Sequence, residues 1–575
     1  MRKITSSLNA ILLATTCIGT ASAADITTER LLNYKSEPQN WLQVHGDYQS
    51  QRHSPLKDIN RDNAKNLKPL YITALGGAQG GGNIPQGSFQ ATPLVVDGFM
   101  YVPDGWSTVY KIDLTDPKRG RVVWEMDPGT DKSAVWIAAN RGVTLYKDMV
   151  VSTTADGKML WTKMATGELV KSVQVDDPKN GYSLTAPPLL IKDKLILGGS
   201  GGDRGARSHI DGLNADTGAP IWRQYTVPKP GEPGSETWKD KNNAWEHGGG
   251  AYWQTGSYDP ETNVTIWGSG QPVPMYDPEY RPGDNLFTNS SIAYDVDTGE
   301  RKWYFQYTPG DAFDYDEVGS QMILDLNVGG QSRKTLVHFS RNGFLYTLDR
   351  ARGQFINAGQ YASKVNWTAG IDPKTGKPVE YDPSKDLQTY KIGSPAGRRA
   401  QGTINLCPNI QGGVNYFPTS YSPVTGLVYG AGIEGCQDVK TDEARSGGKV
   451  AWNGGLAAAN ERVLGSITAM DPATGQRKGQ KMFDYASYSG VLSTAGGLVF
   501  TTSIDGTVYA LDDKTMDVLW TFNVGTLSQA PPVSYSVNGK QYVAVVTGGR
   551  VTSMLAKSPE LSGIKNSTNL VVFGL

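Results

Sequence analysis

Leu213-Asn-Ala-Asp-Thr-Gly-Ala-Pro-Ile-Trp222 and Tyr294-Asp-Val-Asp-Thr-Gly-Glu-Arg-Lys-Trp303 are one phrase written twice. An apolar residue and an acid or amide lead into Thr-Gly, and a Trp closes the phrase four residues after the Gly. It returns at 111–124, ending in Trp124, and at 511–520, ending in Trp520. Weaker copies lie at 163–170, 348–356 and 470–479. Between the copies run apolar or alternating segments such as 93–103, 189–199, 497–512 and 542–549. A strand pair, a Thr-Gly turn and a further strand ending in Trp make one propeller blade. A single blade cannot bury both faces, but stacked blades can, with the Trp wedged between neighbours. The expected fold is all-β, an eight-bladed β-propeller, because residues 24–575 accommodate about eight blades of roughly 70 residues. An array of two-sheet sandwiches is the alternative.

Composition agrees with many short strands. The 575 residues include 68 Gly and 32 Pro, both unfavourable inside helices. The 14 Trp, 28 Tyr and 38% hydrophobic content argue against disorder. No Pro/Ser tract or charge block marks a linker, so one domain over 24–575 is expected. With 55 basic and 56 acidic residues the net charge is −1, which offers no basic face to nucleic acid.

Arg2 and Lys3 precede an apolar run through Ile11–Ala14, and Ala21-Ser22-Ala23 is a small-x-small pattern. Residues 1–23 therefore read as a secretory signal peptide, and the run is too short to span a bilayer. No later segment has the length and apolarity of a membrane span. The expected destination is the periplasm. Beyond residue 23 two cysteines remain, Cys407 and Cys436. In an oxidising compartment they are expected to pair, with two buried thiols as the alternative.

The five histidines, His45, His53, His209, His247 and His338, show no metal-ligand spacing, and no Walker loop or Gly-x-Ser-x-Gly elbow occurs. The acidic stretch 310–319 carries Asp311, Asp314, Asp316 and Glu317. Alternation along an extended segment puts Asp314 and Asp316 on one face, where they repel unless a cation intervenes. A solvated acidic loop reads the same letters. Asp203 and Gln271 each follow an apolar strand within Gly-loosened backbone, and each offers an oxygen to a hard cation.

In order, the segments "ANRG", "SLTAPPLL", "GGSGGDRGAR", "WEHGGGAYW", "WGSGQPVP", "TPGDAFDYDEVG", "SRNGFLYTLDR", "GGVNYFPTSYS" and "GVLSTAGGLVFT" resemble the pyrroloquinoline-quinone (PQQ)-dependent alcohol dehydrogenases, the methanol and ethanol dehydrogenase family. The resemblance covers roughly residues 38–550 and implies an eight-bladed quinoprotein. It implies that Trp253 carries the flat face of the quinone. Arg141, Thr185, Ser200, Gly201, Gly202 and Asn415 would hold its substituents, with Arg341 by the reactive carbonyl and Asp314 as base. Cys407 and Cys436 flank Asn415 as a family disulfide does.

The departures are specific. A vicinal cysteine pair usual in the family falls at Val135-Trp136, so Trp136 is expected to wall the other quinone face. Gln90 stands for the usual Glu, and Tyr488 for the usual Trp. Among the metal ligands Asp203 replaces Glu and Gln271 replaces Asn. Asp316 matches the Asp of lanthanide-type members, where calcium-type members carry a small residue. Asp203, Asp314 and Asp316 would then neutralise a trivalent cation, which favours a lanthanide(III) ion over Ca²⁺. The resemblance implies oxidation of an alcohol to an aldehyde or ketone, with electrons passed to an external acceptor such as a periplasmic cytochrome c. A non-catalytic propeller scaffold of the cell envelope fits the repeats as well, but Arg141, Trp253, Asp314, Arg341 and Asn415 together favour the enzyme. The changes at Gln90, Asp203, Gln271 and Tyr488 leave a quinoprotein without turnover as a third reading.

Overall fold

The computed structural model describes residues 25–81, 84–391, 403–441, 453–549 and 557–575. The expected signal peptide lies outside them. Among the described residues eight antiparallel sheets of the same build follow one another along the chain. Blades 1 to 7 span 94–126, 144–174, 189–225, 257–306, 322–360, 420–483 and 492–523. Blade 8 takes three strands from 533–574, and its outermost strand is Lys68–Ala74, paired antiparallel with Asn569–Gly574. An early and a late segment of the chain therefore share one sheet, which closes the ring of blades.

Inner and outer strands differ as their surroundings require. Leu94–Val96 and Leu189–Ile191, on the innermost side, are buried throughout. Arg121–Met126 and Leu169–Gln174, on the rim, show an alternating or largely exposed pattern. A strand covered on both faces reads as a continuous apolar run, whereas a half-covered one alternates.

The repeated phrase has a double purpose. Its acid folds the turn: Asp295 Oδ1 accepts from the backbone N–H of Asp297 (3.0 Å) and Thr298 (2.9 Å), and Gly299 follows at φ 73°. Only glycine adopts that backbone without a side-chain penalty. The bare Gly face then receives the Trp of the preceding blade. A Cβ on Gly299 would lie 2.5 Å from the Trp222 ring, and one on Gly353 would lie 2.5 Å from Trp303. Each indole also donates across the seam, Trp222 Nε1 to Val296 O (3.0 Å) and Trp303 Nε1 to Arg350 O (3.0 Å). Trp124 and Trp520 reach the Met164 and Leu67 carbonyls in the same way. The Trp wedge expected from the repeats is what joins these blades.

Between blades 6 and 7 the pair is exchanged. Gly479 occupies the Trp position of its repeat, and Met516 occupies the Gly position of the next, at φ 63°. A Cβ on Gly479 would meet Met516 Cγ at 2.9 Å. Met516, 2% exposed, thus fills from one side the space that Trp fills elsewhere from the other. Gly479→Trp alone should overpack this seam and Met516→Gly alone should leave it hollow. The double variant should recover stability beyond the sum of the two, with a coupling of about 1–3 kcal/mol in a thermal or denaturant unfolding cycle. Simple additivity would show that the two positions do not share one space.

Candidate functional site

Loops from the inner ends of several blades surround a cavity of about 220 Å³. Gln90, Trp136, Arg141, Thr185, Ser200, Gly201, Gly202, Asp203, Trp253, Asp314, Asp316, Arg341, Asn415 and Tyr488 all line it. Gln271 does not line it, but its side-chain amide donates to Asp203 Oδ1 (2.7 Å). Residues nearly 400 positions apart in sequence thus meet at one place.

Local turns aim these side chains. The Asp311 carboxylate accepts from the N–H groups of Phe313 and Tyr315 (both 3.1 Å), which winds 311–315 into a turn with Asp314 at φ 63°. Asp and Asn are the side chains that best tolerate this left-handed region. Asp314 and Asp316 both reach the cavity as their spacing suggests, through a turn and extended coil rather than a strand. Gly201, at φ 100°, passes so close to the Gly181 carbonyl that a Cβ would lie 2.1 Å from its oxygen. The single 3₁₀ turn Gly202–Arg204 then presents Asp203.

Two buried guanidinium groups organise the walls. Arg141 donates to Thr185 Oγ1 (2.6 Å) and Trp253 O (3.0 Å), and its Cζ lies 4.5 Å from the centre of the Trp253 ring. Thr185 Oγ1 is 2.9 Å from Ser200 Oγ. Burial draws the Arg141 pKa down to about 10, which leaves it charged at neutral pH. Arg341 pairs with Asp316 Oδ2 at 2.6 Å, donates to Ile410 O at 2.8 Å and stands 3.9 Å from Asp314. Asp316 also accepts from Trp253 Nε1 (3.1 Å) and Gln271 N (2.6 Å).

Burial and then the neighbouring Asp316 push the Asp203 carboxyl up to about 6. Burial also holds Asp314 well above the ordinary carboxylate range, opposed by Arg341 and reinforced by Asp316 and Asp203. Three acids that resist ionisation together are what a bound cation relieves.

Asp203, Asp314 and Asp316 face one cavity, yet among the described residues no three His, Cys, Asp or Glu side chains converge as a ready ligand set. The reason is that Asp316 already spends both oxygens on Arg341, Trp253 and the Gln271 N–H. The Gln271 amide likewise engages Asp203. The donor chemistry suits a hard cation, and Asp316 and Gln271 would have to exchange partners to bind one.

The quinone-binding expectation fits the walls. Gln90 Oε1, Arg141 Nε and Arg341 Nε are buried without a protein partner, where buried polar atoms are otherwise satisfied. Trp136, 37% exposed, stands at the cavity wall where the resemblance expects a replacement for the cysteine pair. Cys407 and Cys436 form a disulfide.

A family model described as "PQQ: Glucose/ethanol/alcohol dehydrogenase, beta-propeller domain" matches residues 41–358 and 448–543. The chain belongs to the PQQ-dependent alcohol dehydrogenase family. Quinoprotein alcohol dehydrogenase PedH of Pseudomonas putida is 34% identical over 94% of this chain and 90% of its own length. Subunit 1 of the cytochrome c-linked methanol dehydrogenase of Methylorubrum extorquens is 31% identical over 95% and 90%. A solved europium-containing methanol dehydrogenase superposes with a TM-score of 0.85 at 28% identity, covering 95% of this chain and all of that one.

Within this PQQ dehydrogenase cavity the sequence reading missed Ile137, Ser183, Ala251, Gln411 and Tyr416. Tyr416 packs its ring 5.8 Å from Trp253 and 4.9 Å from Arg141 Cζ, and Gln411 accepts from the Tyr488 hydroxyl at 2.8 Å. Tyr416 directly follows Asn415 and was within reach of the motif. Gln411 carries no signal of its own, since a lone Gln in a Gly-containing loop belongs to no motif with a chemical role.

Proposed function

We propose that this protein is a periplasmic dehydrogenase that removes a proton and a hydride from an alcohol, with Asp314 as the base. When bound, the quinone supplies the hydride acceptor and the cation the Lewis acid that polarises it. Trp253, Arg141, Thr185, Ser200 and Asn415 are placed to hold and orient the quinone. Asp203, Asp314, Asp316 and Gln271 are the residues that would hold the metal. Asp314 takes the hydroxyl proton, a role that typically contributes ~10²–10⁴-fold. Arg341 stands beside Asp314 and Asp316, ready to stabilise negative charge as it develops.

The observation that carries this reading is the meeting of Asp314, Arg341, Trp253 and Arg141 on one cavity. The three aspartates resist ionising together in that cavity, and a bound cation would relieve their repulsion and that of the incoming quinone carboxylates. Asp316 favours a lanthanide(III) ion. Calcium is the second reading, supported by Asp316 being already engaged with Arg341. The cytochrome c named for the methanol dehydrogenase relative supports a cytochrome c as the electron acceptor. The basic, then apolar, start of the chain supports export, and among the described residues no helix is long and apolar enough to cross a membrane.

Apo-protein reconstituted with PQQ and either La³⁺ or Ca²⁺ should show a quinone absorption band and reduce an artificial dye only when an alcohol is supplied. A folded, quinone-bound sample that turns over with neither metal would refute the assignment.

A further inference from the structure

Arg341 is held from two directions. Asp316 takes one arm of its guanidinium, and the Ile410 carbonyl takes the other. Ile410 belongs to the loop that starts at Cys407. That loop wraps the arginine closely: Gly413 N donates to Arg341 O (3.0 Å), and a Cβ on Gly412 would lie 2.6 Å from Arg341 Cβ. Gly412, at φ 76°, is the residue that permits the approach.

The same loop carries cavity residues. Gln411 O accepts from Asn415 Nδ2 (2.7 Å), and Gln411 Oε1 accepts from the Tyr488 hydroxyl (2.8 Å). Beyond the Cys407–Cys436 bond, the loop's ties to the 433–436 segment are backbone hydrogen bonds and one from the Asn409 side-chain amide to Gly435 O (3.4 Å). Asn409 N donates to Gly435 O (3.2 Å), and Ile433 N donates to Gly413 O (2.7 Å).

We propose that the Cys407–Cys436 disulfide is a positioning element for Arg341, fixing the loop whose Ile410 carbonyl orients the guanidinium between Asp316 and Asp314. An arginine freed from that carbonyl could turn its second arm onto Asp314, which is already within 3.9 Å, and tie up the base. A bridge that served only as a staple would raise stability and leave the chemistry alone.

The proposal rests on the alcohol dehydrogenase reading. It is tested on holoenzyme carrying PQQ and La³⁺, comparing the wild type with Cys407→Ala/Cys436→Ala and with Gly412→Ala. All are measured well below their thermal midpoints. Both variants should lose kcat strongly, towards the ~10²-fold that a misplacement of about 1 Å can cost. The alcohol KM should move by less than about three-fold, because uniform binding is untouched. Titration of PQQ alone into the apo-proteins should show a raised Kd in both variants.

A double variant with a lowered Tm but wild-type kcat and PQQ Kd overturns the proposal. If the double variant does not fold, native holoenzyme reduced with a phosphine after folding takes its place under the same criteria. If the wild type itself shows no alcohol turnover, the dehydrogenase reading fails, and the PQQ Kd comparison still decides whether the bridge positions this loop.

Discussion

Asp314→Asn is expected to lower kcat by about 10²–10⁴-fold while leaving quinone binding nearly intact. Asn is the informative replacement. It keeps the volume and tolerates the φ of 63° that Asp314 adopts, where Ala would add backbone strain to the chemical loss. It cannot take up the proton. The fold should survive, because Asp316 remains paired with Arg341 at 2.6 Å and no buried cation is stranded. Arg141, Thr185, Ser200 and Asn415 are also untouched, so a PQQ titration should give a Kd close to wild type. An Asn variant whose kcat stays within a few-fold of wild type would place the base elsewhere.

Asp316→Ala should have the second-largest effect, and it reads on the metal. Asp316 is the ionic partner of Arg341 and the acceptor of Trp253 Nε1 and Gln271 N. Removing one member of a buried pair typically costs about 3–5 kcal/mol, so a drop in Tm is expected as well. The activity supported by La³⁺ should fall about ten-fold further than that supported by Ca²⁺, because a trivalent ion depends more on the third carboxylate. Asp316→Asn separates the two consequences. It keeps the shape and one acceptor oxygen, enough for the Gln271 N–H, and loses the charge and the oxygen that takes Trp253 Nε1, so the preference between metals should change with a smaller loss of Tm than in Asp316→Ala. Equal losses with both ions would remove the argument for a lanthanide.

Much of the architecture was legible before any coordinates. The Asp-x-x-Thr-Gly-to-Trp spacing works because both ends are local. The acid folds the turn two residues on, the Gly bares its face, and the Trp four residues later points to the next blade's Gly. The exchange of Gly479 and Met516 could have been found by aligning the copies, though only the seam shows that the two substitutions fill one space. Most of the site's members came through the resemblance, since no composition or period singles out Arg141 or Asn415. Gln411 and the Ile410 carbonyl escaped because one is an ordinary loop residue and the other acts through its backbone, which leaves no mark on residue identity.

By itself the sequence determined an all-β repeat fold, the turn and wedge chemistry of its blades, and which acids, arginines and aromatics were available for a quinone and a cation. These follow from contacts a few residues apart or from one repeat to the next. The tertiary structure alone decided how those groups share their bonds. Ring closure through Lys68–Ala74 and Asn569–Gly574 brings loops hundreds of residues apart to one axis. There Asp316 turns to Arg341, Gln271 turns to Asp203, and a disulfide-tied loop closes over the arginine. A buried charge takes the partner that geometry offers it, and that geometry is set by the whole ring.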